Sequence, residues 1–114
     1  MEFTALEMWI IRTAIAQSQP QGVADMMARG KLLDMMEFSD GEKGMIGWRV
    51  LTTENGSEVP QFEPAAIIAR ALTEKQTQRL RAILCEMAPL FRVQVHAHLR
   101  SALVKLGWAP MEDE

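Results

Sequence analysis

Two histidines near the C-terminus are the first side chains in this 114-residue chain that could bind a metal ion. His96 and His98 are two residues apart, so on a helix they point to opposite sides of the axis, whereas on a strand they would share a face. Pro89, which suits a helix start, and the apolar continuation through Leu103 and Leu106 favour the helix. Because a metal site needs several ligands that converge, we expect no metal and no cofactor.

Cys85 and Ser101 are the candidates for a catalytic nucleophile. Ser101 follows His98 by three residues, but the glycine-flanked turn that exposes a nucleophilic serine is missing from the sequence. Cys85 lies beside the apolar stripe of its helix, where we expect a buried and inert thiol. The sequence has neither a phosphate-binding glycine loop nor a paired-carboxylate motif. These patterns indicate a binding protein and not an enzyme.

A basic ridge is predicted on the last helix, because Arg92, His96 and Arg100 recur every fourth residue. The preceding helix adds three more cations, Lys75, Arg79 and Arg81. A helix that reads DNA normally also presents amide or hydroxyl side chains to the bases, and here only Gln94 and Ser101 do so. The ridge could bind nucleic acid or an acidic protein surface, or it could be a solvated helix face.

Methionine is unusually frequent, with nine residues, and four of them form adjacent pairs, Met26 with Met27 and Met35 with Met36. Neighbouring residues on a helix cannot both face the centre of a small core, so we expect one of each pair at its margin or on the surface. Flexible methionine suits an adaptable contact surface, although it also fills irregular cores. Because Trp9 widens the apolar arc of the first helix, the pattern favours a self-association surface or a partner groove.

The first half of the chain is predicted to contain two helices and a hairpin. Thr4 to Glu7 fits a capping box, which predicts a helix over residues 5–17. A second helix is expected from Pro20 to about Phe38, ended by residues 39–41. Apolar residues then alternate over 45–53, Asn55-Gly56 provides a turn, and residues 57–62 return antiparallel, with a proline that confines the second strand to an edge.

The second half is predicted to be helical. We expect a short helix over residues 65–71, a capping box at Thr73 that starts the next helix, and a last helix from about Pro89 to Gly107. The fold class is therefore mainly α, a small bundle of about five helices with one β-hairpin at about residues 45–62. We expect one domain over residues 1–114, with an acidic C-terminal tail at 111–114.

Charge is divided unevenly along the chain. Residues 1–63 contain five Lys/Arg and ten Asp/Glu, whereas residues 64–111 contain seven Lys/Arg and two Asp/Glu. The two halves could attract each other within one fold, or the basic half could steer an acidic partner. The single cysteine excludes an intrachain disulfide and indicates a reducing compartment, and the apolar run near the start is too short to span a membrane. We therefore expect a cytoplasmic protein.

The segment from Val95 to Pro110 resembles the C-terminal helix of the TraM family, small helical antiactivators that bind LuxR-type quorum-sensing regulators. The shared pattern is a His-Ala pair at 96–97, a Ser-Ala-Leu step at 101–103 and a Leu-Gly-aromatic-x-Pro ending at 106–110. In size the chain is also similar to QslA-type antiactivators, which block dimerisation of such a regulator. The resemblance implies a dimeric, cofactor-free antagonist that masks a transcription activator, although the predicted hairpin departs from the all-helical TraM pattern.

A second likeness leads to the alternative hypothesis, a small nucleic-acid-binding regulator. Residues 30–33, 37–38 and 59–62 resemble pieces of antitoxin-like DNA-binding proteins, but the recognition helix expected between them is missing. The first hypothesis remains an antiactivator that binds a transcription regulator and forms a homodimer. Its expected partner-binding residues are Trp9, Met26, Met27, Met35, Met36, Phe91, Arg92, His96, Leu99 and Arg100.

Overall fold

The structure is a computed structural model that describes residues 1–109. In this part of the chain the α-helices are α1 (Ala5–Gln17), α2 (Val23–Met35), α3 (Asp40–Met45), α4 (Glu74–Met87) and α5 (His96–Lys105). The strands are β1 (Glu2–Thr4), β2 (Arg49–Thr52), β3 (Glu58–Gln61) and β4 (Ile67–Ala69). The prediction of a mainly helical fold with about five helices and one hairpin is confirmed. The predicted acidic tail lies outside the described residues.

Helix α1 is the central element, and it begins where the capping pattern predicts. The Thr4 hydroxyl accepts from the Glu7 amide at 3.1 Å, and the Glu7 carboxylate accepts from the Thr4 amide at 2.7 Å. Phe3 and Met8, on either side of the cap, are both buried and hold the entry of the chain. Helices α2, α4 and α5 and both strands of the β1–β4 pair pack against α1. Its buried side chains are Ala5, Glu7, Met8, Ile10, Ile11, Ala14 and Ile15.

The segment predicted as a helix over residues 65–71 is instead strand β4. It pairs antiparallel with β1, with Phe3 opposite Ile68, and both side chains are buried. A helix of seven residues has little stability of its own, whereas pairing with β1 satisfies the backbone and places Ile68 in the core. Tertiary pairing therefore overrides the local preference.

Helix α2 is shorter than predicted, and a third helix follows it. The helix begins at Val23 and not at Pro20, because Gly22, with φ of 98°, caps its start. It ends at Met35. Ser39, which we expected to end a helix, begins one: its hydroxyl accepts from the Glu42 amide at 3.2 Å, and the Glu42 carboxylate accepts from the Ser39 amide at 2.9 Å. This second capping box creates α3.

The last helix begins at His96 and not near Pro89, because two single 3-10 turns, Ala88–Leu90 and Val93–Val95, connect α4 to α5. Its end is as predicted: Gly107 takes φ of 93°, which returns the chain toward the core. The Trp108 amide then donates to the Leu103 carbonyl oxygen at 2.9 Å.

The uneven charge distribution allows ion pairs to form between the two halves of the sequence. Acidic residues of the first half pair with basic residues of the second at 2.5–2.8 Å, and these pairs are Glu7 with Lys105, Asp25 with Arg79 and Glu42 with Arg70. The two halves of the sequence therefore attract each other across helix and strand contacts, as one of the two interpretations of the charge pattern expected.

Arg70 connects the end of β4 to the loop between α2 and α3. Its guanidinium donates to both carboxylate oxygens of Glu42, at 2.5 and 2.6 Å. It also donates to the Met35 carbonyl oxygen at 2.8 Å and to the Glu37 carbonyl oxygen at 2.6 Å, so it satisfies acceptors that the end of α2 leaves free. These hydrogen bonds from Arg70, aided by the Ser39 amide and opposed by partial burial, lower the pKa of Glu42 from 4.5 to about 2.

The lowered pKa makes the contribution of Glu42 to stability dependent on pH. The unfolded chain binds the Glu42 proton more readily, so this contribution is complete above pH 4.5 and is lost as the pH falls toward about 2. We expect Glu42→Gln to be less stable than the wild type at neutral pH and to lose less stability over that acid range, as measured by urea unfolding. Equal slopes for the two proteins would contradict this role of the Arg70 pair.

Candidate protein-binding surface

The first half of α2 has its apolar residues facing solvent and its charged residues facing the body of the protein. Val23, Met26 and Met27 are 69%, 52% and 62% exposed. The side chains of Asp25 and Arg29, on the opposite side of the same turns, are only 18% and 12% exposed. This orientation is the reverse of that in an ordinary surface helix.

Ion pairs to α4 explain why the charged side faces inward. Asp25 accepts from Arg29 and from Arg79, each at 2.8 Å, and Arg29 also lies 3.6 Å from Glu86. The Gln21 amide donates to Asp25 at 2.7 Å and, with Arg29 and Arg79, lowers the pKa of Asp25 against the opposing effect of desolvation. The polar contact with α4 therefore turns the apolar side chains outward.

Gly30 continues the exposed face by one helical turn. A Cβ atom at this position would have no other atom within 4 Å, so the helix backbone is open to close approach there. We call the face formed by Val23, Met26, Met27 and Gly30 the methionine surface. Its spacing of three, four and seven residues fits the side of another helix.

Beside the methionine surface, a shallow groove runs between α1 and α2. One depression of about 170 Å³ is lined by Ile15, Ala16, Ser18, Pro20, Met26, Arg29, Gly30 and Leu33. A second, of about 220 Å³, is lined by Trp9, Arg12, Thr13, Ala16, Leu33 and Glu37. The two depressions share Ala16 and Leu33, so they adjoin, and together they form the α1–α2 groove.

Trp9, predicted to bind a partner, is half-buried at one end of this groove. Its ring contacts Trp48 and Phe62 with centroid distances of 6.0 and 6.1 Å. Arg12 lies over the rings of both Trp9 and Phe38, at 5.7 and 5.2 Å from their centroids. The aromatic cluster is thus occupied by a cation of the chain itself, and it forms a fixed wall of the groove.

The two methionine pairs have different environments. Met26 and Met27 are both exposed, whereas Met36 is fully buried in the core and Met35 is half-buried, with its sulfur accepting from Gln76 at 3.2 Å. The expected contact role of Met36 needs correction, because its side chain is not accessible to a partner. Only the first pair lies on the methionine surface.

The other predicted contact residues lie around α5, which packs against α1 and α4. His96 and Arg100 are exposed on α5, but Leu99 is buried and is not an accessible contact residue. Phe91 and Arg92 precede the helix, in the connection built from 3-10 turns. The predicted ridge is therefore broken, and the Phe91 carbonyl oxygen accepts from His96 Nε2 at 3.0 Å.

The cations of α4 also depart from the predicted ridge. Arg79 pairs with Asp25, and Arg81 donates to the Leu106 carbonyl oxygen at 3.2 Å. A depression of about 320 Å³ beside Lys75 is basic, but the Thr73 capping box already occupies the Gln76 amide at the start of α4. Arg79 and Arg81 are therefore held by contacts within the protein.

The structure shows the surroundings of the side chains that could take part in chemistry. Cys85 is exposed, so the expectation of a buried thiol is wrong. Within residues 1–109, no three His, Cys, Asp or Glu side chains converge as metal ligands. No helix in that range is long and apolar enough to cross a membrane.

A comparison of the chain with protein-family models, curated proteins and solved structures finds no significant match.

The contrast between the methionine pairs can be tested by stability. We expect Met36→Ala to lower the free energy of unfolding by about 2–5 kcal/mol, because the truncation leaves a cavity in the core. Met27→Ala should change it by less than about 0.5 kcal/mol, because this side chain is exposed. Urea unfolding of both variants measures the difference, and equal losses would contradict the placement of Met27 on the surface.

Proposed function

We propose that this chain is a non-catalytic protein-binding module, an antiactivator that binds a transcription regulator through the methionine surface and the α1–α2 groove. The observation that carries the proposal is the inverted half of α2, where apolar side chains face solvent while Asp25 and Arg29 face inward. Leaving three large apolar side chains in water on one helix face gains no folding energy, so burial against a partner is the simplest use for them.

The occupant that fits this surface is an amphipathic helix of the partner. Large apolar side chains at positions i, i+3 or i+4, and i+7 of such a helix would enter the two depressions, and Gly30 lets its backbone approach closely. Methionine side chains can adjust to the shape of the incoming helix because they are unbranched and polarisable. The aromatic wall at Trp9 limits the groove at one end.

The resemblance of residues 95–110 to the TraM family supports a transcription regulator as the partner. Masking a helix that such a regulator needs for its own dimerisation or DNA binding would inhibit it without any catalytic group on this chain. The single cysteine also fits action in a reducing compartment, and we propose the cytoplasm as the location.

Affinity capture with matched variants tests the proposal. The tagged wild-type chain and the double variant Met26→Glu, Met27→Glu are expressed in the native cell, and the copurified proteins are identified by mass spectrometry. We expect the wild type to retain a DNA-binding regulator and the double variant to bind it at least about tenfold more weakly, a loss of about 1.4 kcal/mol.

Met45→Glu is the matched control, since Met45 is 61% exposed on α3 and lies outside the methionine surface. This variant should bind the regulator as the wild type does, and circular dichroism should show all three proteins folded. Equal retention by the double variant would contradict the proposed surface. Retention of nucleic acid, weakened steeply by salt, in place of a protein would instead favour the alternative regulator hypothesis.

A further inference from the structure

The β2–β3 hairpin is exposed on both of its faces. Val50, Leu51 and Val59 are exposed apolar residues, and each of the four residues of β2 is exposed. An isolated two-stranded hairpin is only marginally stable in water, whereas a sheet of more strands with an apolar face is stable. The addition of strands would therefore make the hairpin more stable.

Only one edge of the hairpin is suited to accept another strand. The Thr53 amide donates to the Ser57 carbonyl oxygen at 2.8 Å, so by alternation the backbone groups of Leu51 also point toward β3. Those of Val50 and Thr52 then point outward from β2. On the opposite edge the outward residues of β3 are Glu58 and Pro60, and Pro60 has no amide hydrogen to donate.

We propose that β2 pairs antiparallel with β2 of a second copy of this chain, forming a four-stranded sheet in the order β3-β2-β2-β3. A two-fold axis through Leu51 places Val50 opposite Thr52 of the second copy. Each of these residues then donates its amide to the carbonyl oxygen of the other, and symmetry repeats both bonds. Every outward backbone group of Val50 and Thr52 is satisfied in this register.

The register with its two-fold axis one residue earlier in β2 is less favourable. A two-fold axis through Val50 would require the Trp48 amide as a donor, but that amide already donates to the Lys43 carbonyl oxygen at 2.8 Å. The register through Leu51 leaves this bond intact. The structure of the loop before β2 therefore favours the axis through Leu51 over the axis through Val50.

Side chains also match in this register. Leu51 lies opposite Val59 within the hairpin, so the paired sheet carries Val59 and Leu51 of one copy next to Leu51 and Val59 of the other, in one apolar row. Arg49 comes opposite the uncharged Thr53 of the second copy. No like charges face each other there.

This dimer surface uses different residues from the methionine surface, so either proposal can fail without the other. The direct test follows from the axis through Leu51, which sets this residue against its own copy. We expect wild-type protein to dimerise with rising concentration in sedimentation equilibrium, and Leu51→Lys and Leu51→Glu each to remain monomeric because like charges oppose. An equal mixture of these two variants should form a heterodimer.

Val104→Lys is the control, since Val104 is a similarly exposed apolar residue on α5, and it should dimerise as the wild type does. Circular dichroism should show all variants folded, because the substituted side chains are exposed. A wild type that is monomeric at every concentration would overturn the proposal. So would a dimer that persists in Leu51→Lys or a mixture that fails to associate.

Disulfide formation tests the register, in a Cys85→Ala background that removes the exposed native thiol. Opposed residues of a pair without mutual hydrogen bonds have Cα atoms about 4.5 Å apart, so Leu51→Cys should form a crosslinked dimer on mild oxidation. Val50→Cys should not, because the two copies of residue 50 are offset along the strands beyond about 7 Å. Crosslinking of Val50→Cys without Leu51→Cys would overturn the register.

Discussion

The fold depends on keeping the carboxylate of Glu7 paired inside the core. Glu7 is 1% exposed, and it is the one charged residue in the buried part of residues 1–109. Its oxygen Oε1 accepts from the Thr4 amide at 2.7 Å and from Lys105 at 2.6 Å. Burial raises the pKa of Glu7, but Lys105, the Thr4 amide and the nearby Ser101 hydroxyl outweigh it and keep the pKa below 4.5. One carboxylate therefore fixes the start of α1, the end of β1 and the position of α5 together.

The packing around α1 leaves the N-terminal half of α2 with an exposed apolar face. Helix α1 buries apolar side chains against α4 and α5, and α2 reaches the core through Leu32 and Met36 at its C-terminal end. The N-terminal end of α2 is held by ion pairs of Asp25 and Arg29, which do not bury apolar area. The methionine surface is therefore exposed, and a partner can bind there without any change in the packing of the core.

Local signals in the sequence account for the parts of the fold that were predicted. The capping boxes at Thr4 and Thr73, the turn at Asn55-Gly56 and the end of α5 at Gly107 depend on neighbouring residues, so they are readable without tertiary information. Strand β4 and the hydrogen bonds of Arg70 with Glu42 are different, because each joins segments that are far apart in the chain. No local pattern indicates such a partner.

The candidate surface, like the fold, could be predicted from the sequence only where local signals determine it. The adjacent positions of the methionines predicted one residue of each pair at the margin of the core or on the surface, which fits Met35 and Met36, but both Met26 and Met27 are exposed. The exposure of the first pair depends on Asp25 contacting Arg79 of α4, an ion pair between distant segments. The predicted ridge of Arg92, His96 and Arg100 failed for a related reason, since the 3-10 turns after α4 remove Arg92 from the helix.

The methionine methyl groups provide the most direct measurement of the central claim, that α2 binds a partner through its inverted face. In protein labelled at these methyls, addition of the partner helix should shift or broaden the NMR signals of Met26 and Met27. The signals of exposed Met45 and of buried Met8 and Met36 should stay unchanged. Binding that shifts Met45 and leaves Met26 and Met27 unchanged would contradict the account.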